Sequence, residues 1–336
     1  MERRGVMGRL RPTIEDVARA AGVSRATASR VINDAPGASG VLRSRVRAAV
    51  DELGYRPNET ARALASGRQR TVDVIAVTYG TGSGWLGTHP YFSRVLAGMM
   101  PVVEGVGAQL QLHAVGPLEA AGVFERIAAN TSLGAVLADV TPELATQFHR
   151  HCRRTVSIVP TASSVPGMEA DNAGGAYAAV RQLHELGCRR IAAIHGPALN
   201  PCGIDRRSGY LRAVRELGLT DISLYGDFLR EGGYRAAREL LERDPGIDGM
   251  FVACDLMAAG AVQAITASGR RVPEDVSIIG FDDSIAAVCT NPPLTTMRLP
   301  VEEMAAAATQ LLLQGNPAPG YRRQFPVELV VRQSTR

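Results

Sequence analysis

Polar and basic side chains recur at helical spacing near the N-terminus, in the segment SRATASRVIN of residues 24–33. An arginine guanidinium can donate two hydrogen bonds to one guanine, and an alanine methyl can contact a thymine methyl. Small hydroxyl side chains suit phosphate oxygens, which fix the register of a protein on DNA. The chemistry favoured here is DNA recognition by the outer side chains of one helix, which are Arg25, Ala26, Thr27, Ser29 and Arg30.

Two short helices are predicted to position this polar surface. Thr13 can cap the first helix, Gly22 can end it, and Ser24 can cap the second. Apolar residues at spacings of three and four predict the contact between the helices; they are Ile14, Val17, Ala18, Ala21, Ala28, Val31 and Ile32. A short helix, a glycine turn and a second helix with a basic outer surface are typical of a helix-turn-helix, whose second helix enters the major groove.

The sequence TIEDVARAAGVSRATASRVIN of residues 13–33 resembles the opening of the lac repressor and purine repressor family of bacterial transcription regulators. The resemblance continues through ELGYRPNETARALASG, residues 52–67, and recurs almost to the C-terminus. It implies an all-α helix-turn-helix domain with a hinge helix, followed by a two-lobed α/β domain like that of periplasmic binding proteins. The implied function is a sequence-specific DNA-binding regulator, expected to be a repressor, that needs no cofactor and whose operator affinity a small molecule controls.

The resemblance also implies which residues contact the operator. The positions that match the family are Thr13, Ser24, Arg25, Ala26, Thr27, Ser29, Arg30, Asn33, Asn58, Ala61 and Leu64. From the residues alone, Arg25 and Arg30 could each grip the phosphate backbone instead of reading a base. Leu42, Val46, Ala49, Val50 and Leu53 recur at helical spacing and predict a third helix, closed by Gly54, that completes the small domain.

A short helix is predicted over residues 59–66, between the Pro57-Asn58 break and Gly67. In the resembling family this is the hinge helix, which forms when two subunits lie side by side on a near-palindromic operator. The family places a leucine in the central minor-groove step, and Leu64 has that position here. A homodimer on double-stranded DNA is therefore implied. Without the resemblance, the residues favour a linker helix whose Leu64 packs on its own domain.

Positive charge is concentrated at the N-terminus. Residues 1–70 hold 14 Arg and 7 acidic residues, a net charge of +7, whereas the remaining 23 Arg and 26 acids give −3, which together make +4. The chain contains no Lys, so every cation is an arginine apart from histidine. A basic excess on one small domain is typical of a protein that binds the phosphate backbone.

The composition of the chain argues against several other classes of protein. The 336 residues are 46% hydrophobic and contain no apolar run of the ~20 residues that a membrane span needs. The N-terminus lacks the apolar centre of a signal peptide, so we expect a cytoplasmic protein without a membrane partner. Five cysteines without a CxxC pair favour reduced thiols. His149, His151 and Cys152 do not share one helical face, which disfavours a metal site, and no catalytic set can be assembled.

After residue 70 the pattern alternates between strands and helices, which predicts two lobes built on mostly parallel sheets. We predict strands at 72–77, 109–114, 134–138, 155–159, 190–195, 249–253 and 276–280. Helices are predicted at 91–107, 118–130, 142–152, 172–186, 206–217, 232–243, 256–268 and 301–314. The predicted domains are 1–57 for DNA binding, 58–70 for hinge and linker, and 71–336 for effector binding and dimerisation. The N-lobe would comprise about 71–166 and 294–322, and the C-lobe about 167–293 and 323–336.

The sequence is also compatible with two functions other than that of a DNA-binding regulator. The segment GSGWLG, residues 82–87, has the GxGxxG spacing of a dinucleotide-binding loop and could indicate a nucleotide-dependent enzyme. No acidic residue follows the next predicted strand, and Thr88-His89-Pro90 separates the glycines from the next helix, so a flexible loop at the cleft mouth is the better interpretation. A sugar-binding protein without DNA function is the third possibility, which the +7 N-terminal region opposes.

The resemblance places an effector, a sugar or related polar metabolite, in the cleft between the lobes. The candidate effector-binding residues are Tyr79, Trp85, Phe92, Arg206, Asp255 and Asp282. Two positions depart from the family pattern, because Cys254 replaces an asparagine and Pro160 replaces an aspartate. Asp171 and Asn172 match a family pair that can equally cap a helix.

Overall fold

The computed structural model describes residues 12–32, 37–55, 70–77, 89–116, 120–315 and 317–336. The chain divides into two compact units, Met1–Gln69 and Arg70–Arg336. Several predicted features lie outside the described residues: the hinge helix, the 82–87 loop, Asn33, Asn58, Ala61, Leu64, Tyr79 and Trp85.

Three helices form the described part of the N-terminal unit: α1 (Ile14–Ala21), α2 (Arg25–Ile32) and α3 (Gly40–Leu53). Thr13 and Asp16 form a reciprocal cap at the start of α1. Gly22 ends α1 with a φ of 60°, a left-handed conformation that disfavours residues with a Cβ. The predicted contact between the helices is confirmed, since Val17, Ala21, Val31, Val46 and Ala49 form the buried core of this unit.

The body contains two six-stranded sheets. The first has the order β11-β5-β4-β3-β1-β2 and the second β12-β10-β9-β8-β6-β7; all pairs are parallel except β10 with β12. The strands of the first sheet are β1 (Thr71–Val77), β2 (Gln109–Val115), β3 (Gly134–Asp139), β4 (Thr155–Ser157), β5 (Gly167–Ala170) and β11 (Arg322–Phe325). Those of the second are β6 (Ile191–His195), β7 (Ile222–Tyr225), β8 (Gly249–Val252), β9 (Ser277–Asp282), β10 (Thr295–Arg298) and β12 (Glu328–Val330). We call the regions around these sheets the first and second lobes.

Helices connect the parallel strands and cover the sheets, as a parallel sheet requires. They are α4 (Pro90–Glu104), α5 (Ala120–Asn130), α6 (Pro142–His151), α7 (Asn172–Glu185), α8 (Pro201–Glu216), α9 (Arg230–Arg243), α10 (Asp255–Ala267), α11 (Ile285–Cys289) and α12 (Val301–Gln314). Within the described residues, no helix combines the length and apolar character needed to cross a bilayer.

The crossings between lobes lie a few residues later than predicted. The predicted lobe boundaries assigned β5 to the second lobe, β10 to the first and most of β11 to the second, whereas the sheets place each in the opposite lobe. A strand belongs to the sheet whose backbone bonds it completes. Gly167 N donates to Tyr321 O at 2.9 Å, which joins β5 to β11 in the first sheet.

Short elements account for the other differences. The prediction omitted β5, β7, β10, β11, β12 and α11, each of which has five residues or fewer. The helix predicted from Arg206 starts at Pro201, because the Asn200 side chain caps it by accepting from Gly203 N at 3.0 Å. The strand predicted to end at Gly280 continues to Asp282.

Candidate functional site

The outer side of α2 presents its side chains to solvent. Ser24 caps the helix, since its Oγ accepts from Thr27 N at 3.1 Å. Arg25, Ala26 and Arg30 are exposed, and we call these three residues the reading face. Thr27 and Ser29 are half-buried. The helix therefore exposes two guanidinium groups and one methyl group, while two of the five predicted outer side chains, Thr27 and Ser29, are partly covered.

Two predicted DNA contacts already have protein partners. Arg25 Nε lies 2.9 Å from Glu15 Oε1, with 67% and 52% of the two side chains exposed. Pairs this exposed contribute little to stability, so Arg25 can exchange Glu15 for a base or a phosphate. Thr13 caps α1, and its backbone bond to Asp16 holds the pKa of that carboxyl below its usual value.

A cleft lies between the two lobes at the carboxyl ends of their strands, where open α/β sheets bind ligands. The space within it that protein atoms do not fill is about 420 Å³, part of which is open to solvent. The described residues that line it are His89, Tyr91, Phe92, Ala138, Asp139, Val159, Asn200, Cys202, Arg206, Phe228, Cys254 and Asp282. The structure thus brings together Phe92, Arg206 and Asp282, three of the predicted effector residues.

Arg206 is the central cation of the cleft and is only 3% exposed. Its Nε donates to Asn172 Oδ1 at 2.8 Å, and its Nη1 donates to Ala253 O at 2.5 Å. The guanidinium lies over the Phe281 ring, 3.8 Å from the ring centroid. Asp282 Oδ1 lies 3.3 Å from Nη1. Contacts on several sides fix the plane of the guanidinium before any ligand binds.

Asp282 connects this cation to the first lobe. Burial raises the pKa of its carboxyl, and Arg206 and Arg94 oppose that shift. Its backbone φ of 112° is rarely adopted by residues with a side chain. The Asp282 carbonyl accepts from Arg94 Nη1 at 2.6 Å and from Leu299 N at 3.2 Å. Arg94 belongs to α4 of the first lobe, so one residue contacts both the cleft and the opposite lobe.

Asp139 and Asn200 form a second bridge between the lobes, which the sequence analysis missed. Asp139 ends β3 of the first lobe, and its Oδ1 accepts from Asn200 Nδ2 at 2.8 Å. Both residues are nearly buried, at 9% and 4% exposure. Burial raises the pKa of Asp139 to about 7, and the Asn200 bond opposes the shift. The sequence did contain one indication of this site, because the predicted strand at 134–138 is followed directly by the acidic residue Asp139.

Asp255 is not among the side chains that line the cleft. Its side chain is fully buried, its Oδ1 accepts from Thr296 Oγ1 at 2.5 Å, and its Oδ2 accepts from Ser284 N at 2.7 Å. Burial, with a further contribution from Asp282, raises its pKa to about 7. In this structure it holds α10 against the β9 and β10 ends, whereas we had predicted an effector contact.

The other walls of the cleft are apolar. Phe92 is 2% exposed and lies in edge-to-face contact with His89, with 6.0 Å between ring centroids. Burial lowers the pKa of His89 to about 4, so this ring is neutral at physiological pH. Phe228, from the second lobe, has a φ of 64° and is a further aromatic that the sequence analysis missed. Asp171 caps α7, since its Oδ1 accepts from Gly174 N at 2.8 Å. Of the two roles considered for Asp171, a helix cap and a ligand contact, the structure shows the helix cap.

Comparisons with known proteins agree with this division into two parts. Residues 13–58 match the family described as bacterial regulatory proteins, lacI family, and residues 180–335 match a periplasmic binding protein-like domain. The chain is 35% identical to the HTH-type transcriptional regulator CelR of Thermobifida fusca over 97% of this chain and 99% of that protein. It is 33% identical to the HTH-type transcriptional regulator GalR of Escherichia coli K12, over 96% and 95% of the two chains.

Solved structures with the same fold include a CelR–cellobiose complex, with a TM-score of 0.72, 33% identity, and coverage of 96% of this chain and 100% of the other. A lac repressor dimer bound to operator and the anti-inducer ONPF has a TM-score of 0.72 at 27% identity, covering 96% and 99%. These relatives are transcriptional regulators, so the nucleotide-dependent enzyme is not supported. The chain belongs to the lacI family of bacterial transcriptional regulators.

Proposed function

We propose that this regulator reads a near-palindromic operator as a homodimer and that a small polar effector, bound between the lobes, controls its affinity for that operator. The observation that carries the effector proposal is the buried Arg206–Asp282 pair at the carboxyl ends of the strands. A buried cation and carboxylate with fixed geometry can bond a hydroxyl-rich ligand, which both donates and accepts. Because DNA is the partner, we place its action in the cytoplasm.

The chemistry of the cleft favours a sugar-like molecule. Asp139, Asn200, Arg206 and Asp282 supply polar atoms, and the rings of Phe92 and Phe228 can cover the apolar faces of a pyranose. Cellobiose in the related CelR complex is consistent with this class. Trp85 and Tyr79 remain proposed contributors from outside the described residues.

Operator binding would combine base and backbone contacts. We propose that Arg25, Ala26 and Arg30 read bases, while Thr13, Ser24, Thr27, Ser29 and Asn33 bind phosphate. Two-fold symmetry of the dimer would demand two half-sites. Asn58, Ala61 and Leu64 would belong to a hinge helix whose Leu64 wedges into the minor groove and bends the duplex.

Effector coupling is tested by thermal unfolding with a panel of mono- and disaccharides, followed by operator titration with and without the compound that raises the midpoint. We expect one compound both to stabilise the body and to change operator affinity. Linkage requires the operator to change the affinity for that compound by the same factor. A stabilising sugar that leaves operator affinity unchanged would refute the proposed control.

The hinge proposal is tested with Leu64→Ala. We expect weaker operator binding and a smaller DNA bend, because the apolar wedge is lost, while the unfolding midpoint of the body stays the same. Affinity and bending equal to those of the wild type would show that Leu64 is only a linker residue.

A further inference from the structure

Three arginines project from the end of the first lobe that lies opposite the cleft. We call Arg126, Arg150 and Arg153 the basal arginines; all three are exposed. The strands β1, β3 and β4 begin at this end, because Leu133 N donates to Thr71 O at 3.0 Å and Ala135 N donates to Arg154 O at 2.9 Å. The helices α5 and α6 end there as well.

The basal arginines differ from the surface arginines of the second lobe in their partners. In the second lobe, pairs along a helix neutralise Arg181 with Glu185, Arg212 with Glu216, and Arg243 with Glu239. Among the described residues, no carboxylate lies within ion-pair distance of a basal arginine; nearby Glu125 instead faces His151 at 3.8 Å. The first lobe therefore carries a local positive surface, although residues 71–336 together have a net charge of −3.

Helix stabilisation accounts for only part of this arrangement. Cations in the last turn of a helix complement its dipole, and Arg150 has that position in α6. Arg126 lies before the last turn of α5, and Arg153 follows the end of α6. Two of the three charges thus lie outside the last turn of a helix, where the interaction with the helix dipole is strongest.

The chain reaches the body from the DNA-binding unit at the same end. Arg70 is the first residue of the body, and its carbonyl accepts from Gln109 N at 2.8 Å at the start of β1 and β2. The preceding residues, 1–69, hold 13 Arg and 7 acids, a net charge of +6. The basal arginines therefore lie at the end of the body where its chain begins, directly after a basic stretch of sequence.

We propose that the basal arginines bind DNA phosphates when the operator is engaged, as a second, sequence-independent contact surface. A guanidinium fits phosphate oxygens with two parallel hydrogen bonds, and no carboxylate in the described part of the chain pairs with these donors. The inference rests on the proposed function only in requiring operator binding. It adds a contact from the effector-binding body itself, so a movement of the first lobe would alter the phosphate contacts directly.

The test compares two charge-matched triple variants of the full chain. The basal variant is Arg126→Gln, Arg150→Gln and Arg153→Gln; the control is Arg181→Gln, Arg212→Gln and Arg243→Gln, which removes the same charge from the second lobe. Operator affinity is measured at several salt concentrations between about 50 and 200 mM. The affinity for a duplex of unrelated sequence is measured in parallel. Log affinity falls linearly with log salt concentration. Each lost phosphate contact should make this slope less steep by about 0.9.

We expect the slope of the basal variant to be less steep than that of the wild type by about 1–3, while the control keeps the wild-type slope. The ratio of the affinity for the operator to the affinity for the unrelated duplex should stay constant. Equal slopes for all three proteins, or equal losses in both variants, would overturn the inference. Arg153→Gln alone, outside any helix, serves as a second variant if the triple unfolds, and it should still lower the slope. Failure of the wild type to prefer its operator would instead contradict the proposed function.

Discussion

The two functional regions treat their arginines in opposite ways. On the reading face, the Arg25 side chain is 67% exposed and pairs at the surface with Glu15. In the cleft, the Arg206 side chain is 4% exposed and bonds to Asn172, Ala253 and Asp282. Arg25 is accessible to a partner molecule, whereas Arg206 also stabilises the lobe that contains it.

This difference predicts how each region responds to mutation. Surface pairs are worth little, so a substitution on the reading face should change DNA recognition and leave folding intact. Removing one member of a buried pair leaves an uncompensated charge in a medium of low polarity. Function and stability should therefore separate on the reading face and change together in the cleft.

The largest effect is expected for Arg206→Met. Loss of the cation leaves Asp282 buried beside Asp255 without its ionic partner, and should destabilise the body by about 3–5 kcal/mol. Urea unfolding measures this change, with Arg212→Met as the control, because Arg212 is 55% exposed in its side chain and pairs at the surface with Glu216. Wild-type stability in the Arg206 variant would remove the distinction between the two regions.

A smaller effect, which depends on pH, is expected for Asp139→Asn. The pKa of Asp139 rises from 3.8 to about 7, so its contribution to stability is fully present below about pH 4 and is lost as pH rises towards 7. Asparagine keeps an oxygen for Asn200 and never ionises. The variant should thus gain stability over the wild type between pH 4 and 8, by at most about 4 kcal/mol.

Thermal midpoints across that pH range measure the gain, with exposed Glu274→Gln as the control. The difference between variant and wild type should grow with pH for Asp139→Asn and should exceed the difference seen for the exposed control. A constant difference for Asp139→Asn would mean that its carboxyl ionises normally in the cleft.

The smallest change in free energy is expected for Arg25→Ala. It should cost about 1–3 kcal/mol of discrimination at one base pair, because a guanidinium that reads guanine is lost. The unfolding midpoint should remain that of the wild type. Competition between the operator and single-base variants measures this, and Glu15→Gln is the control that removes the partner but keeps Arg25. A uniform loss across all sequences would identify Arg25 as a phosphate contact instead.

The reading face was predictable because its signals are local. Spacings of three and four fix which side of α2 is buried, and Ser24 fixes where the helix begins, so Ala28 and Val31 turn inward as predicted. The sequence analysis named no cap for the start of α3, and the structure shows that Ser39 caps it, since the Ser39 side chain accepts from Leu42 N at 3.5 Å.

The cleft was only partly predictable because its contacts join distant segments. Asp139 and Asn200 are 61 positions apart, and neither has a local pattern that indicates the other. Asp139 is the last residue of β3 and Asp255 comes shortly after β8, so both acids lie near the end of a buried strand, yet Thr296 and Ser284 donate to the oxygens of Asp255. Periodicity cannot distinguish these two acids, since the difference depends on which strands become neighbours.

The interleaving of the lobes has a consequence for synthesis. One edge strand of each sheet, β11 in the first and β12 in the second, comes from residues 322–330, although β1 starts at Thr71. On the ribosome, the N-terminal unit can fold as soon as it emerges, but neither lobe can complete its sheet until residues 322–330 have been synthesised. A nascent chain stalled near Gly315 would expose two unfinished sheet edges together, which makes premature termination a route to aggregation.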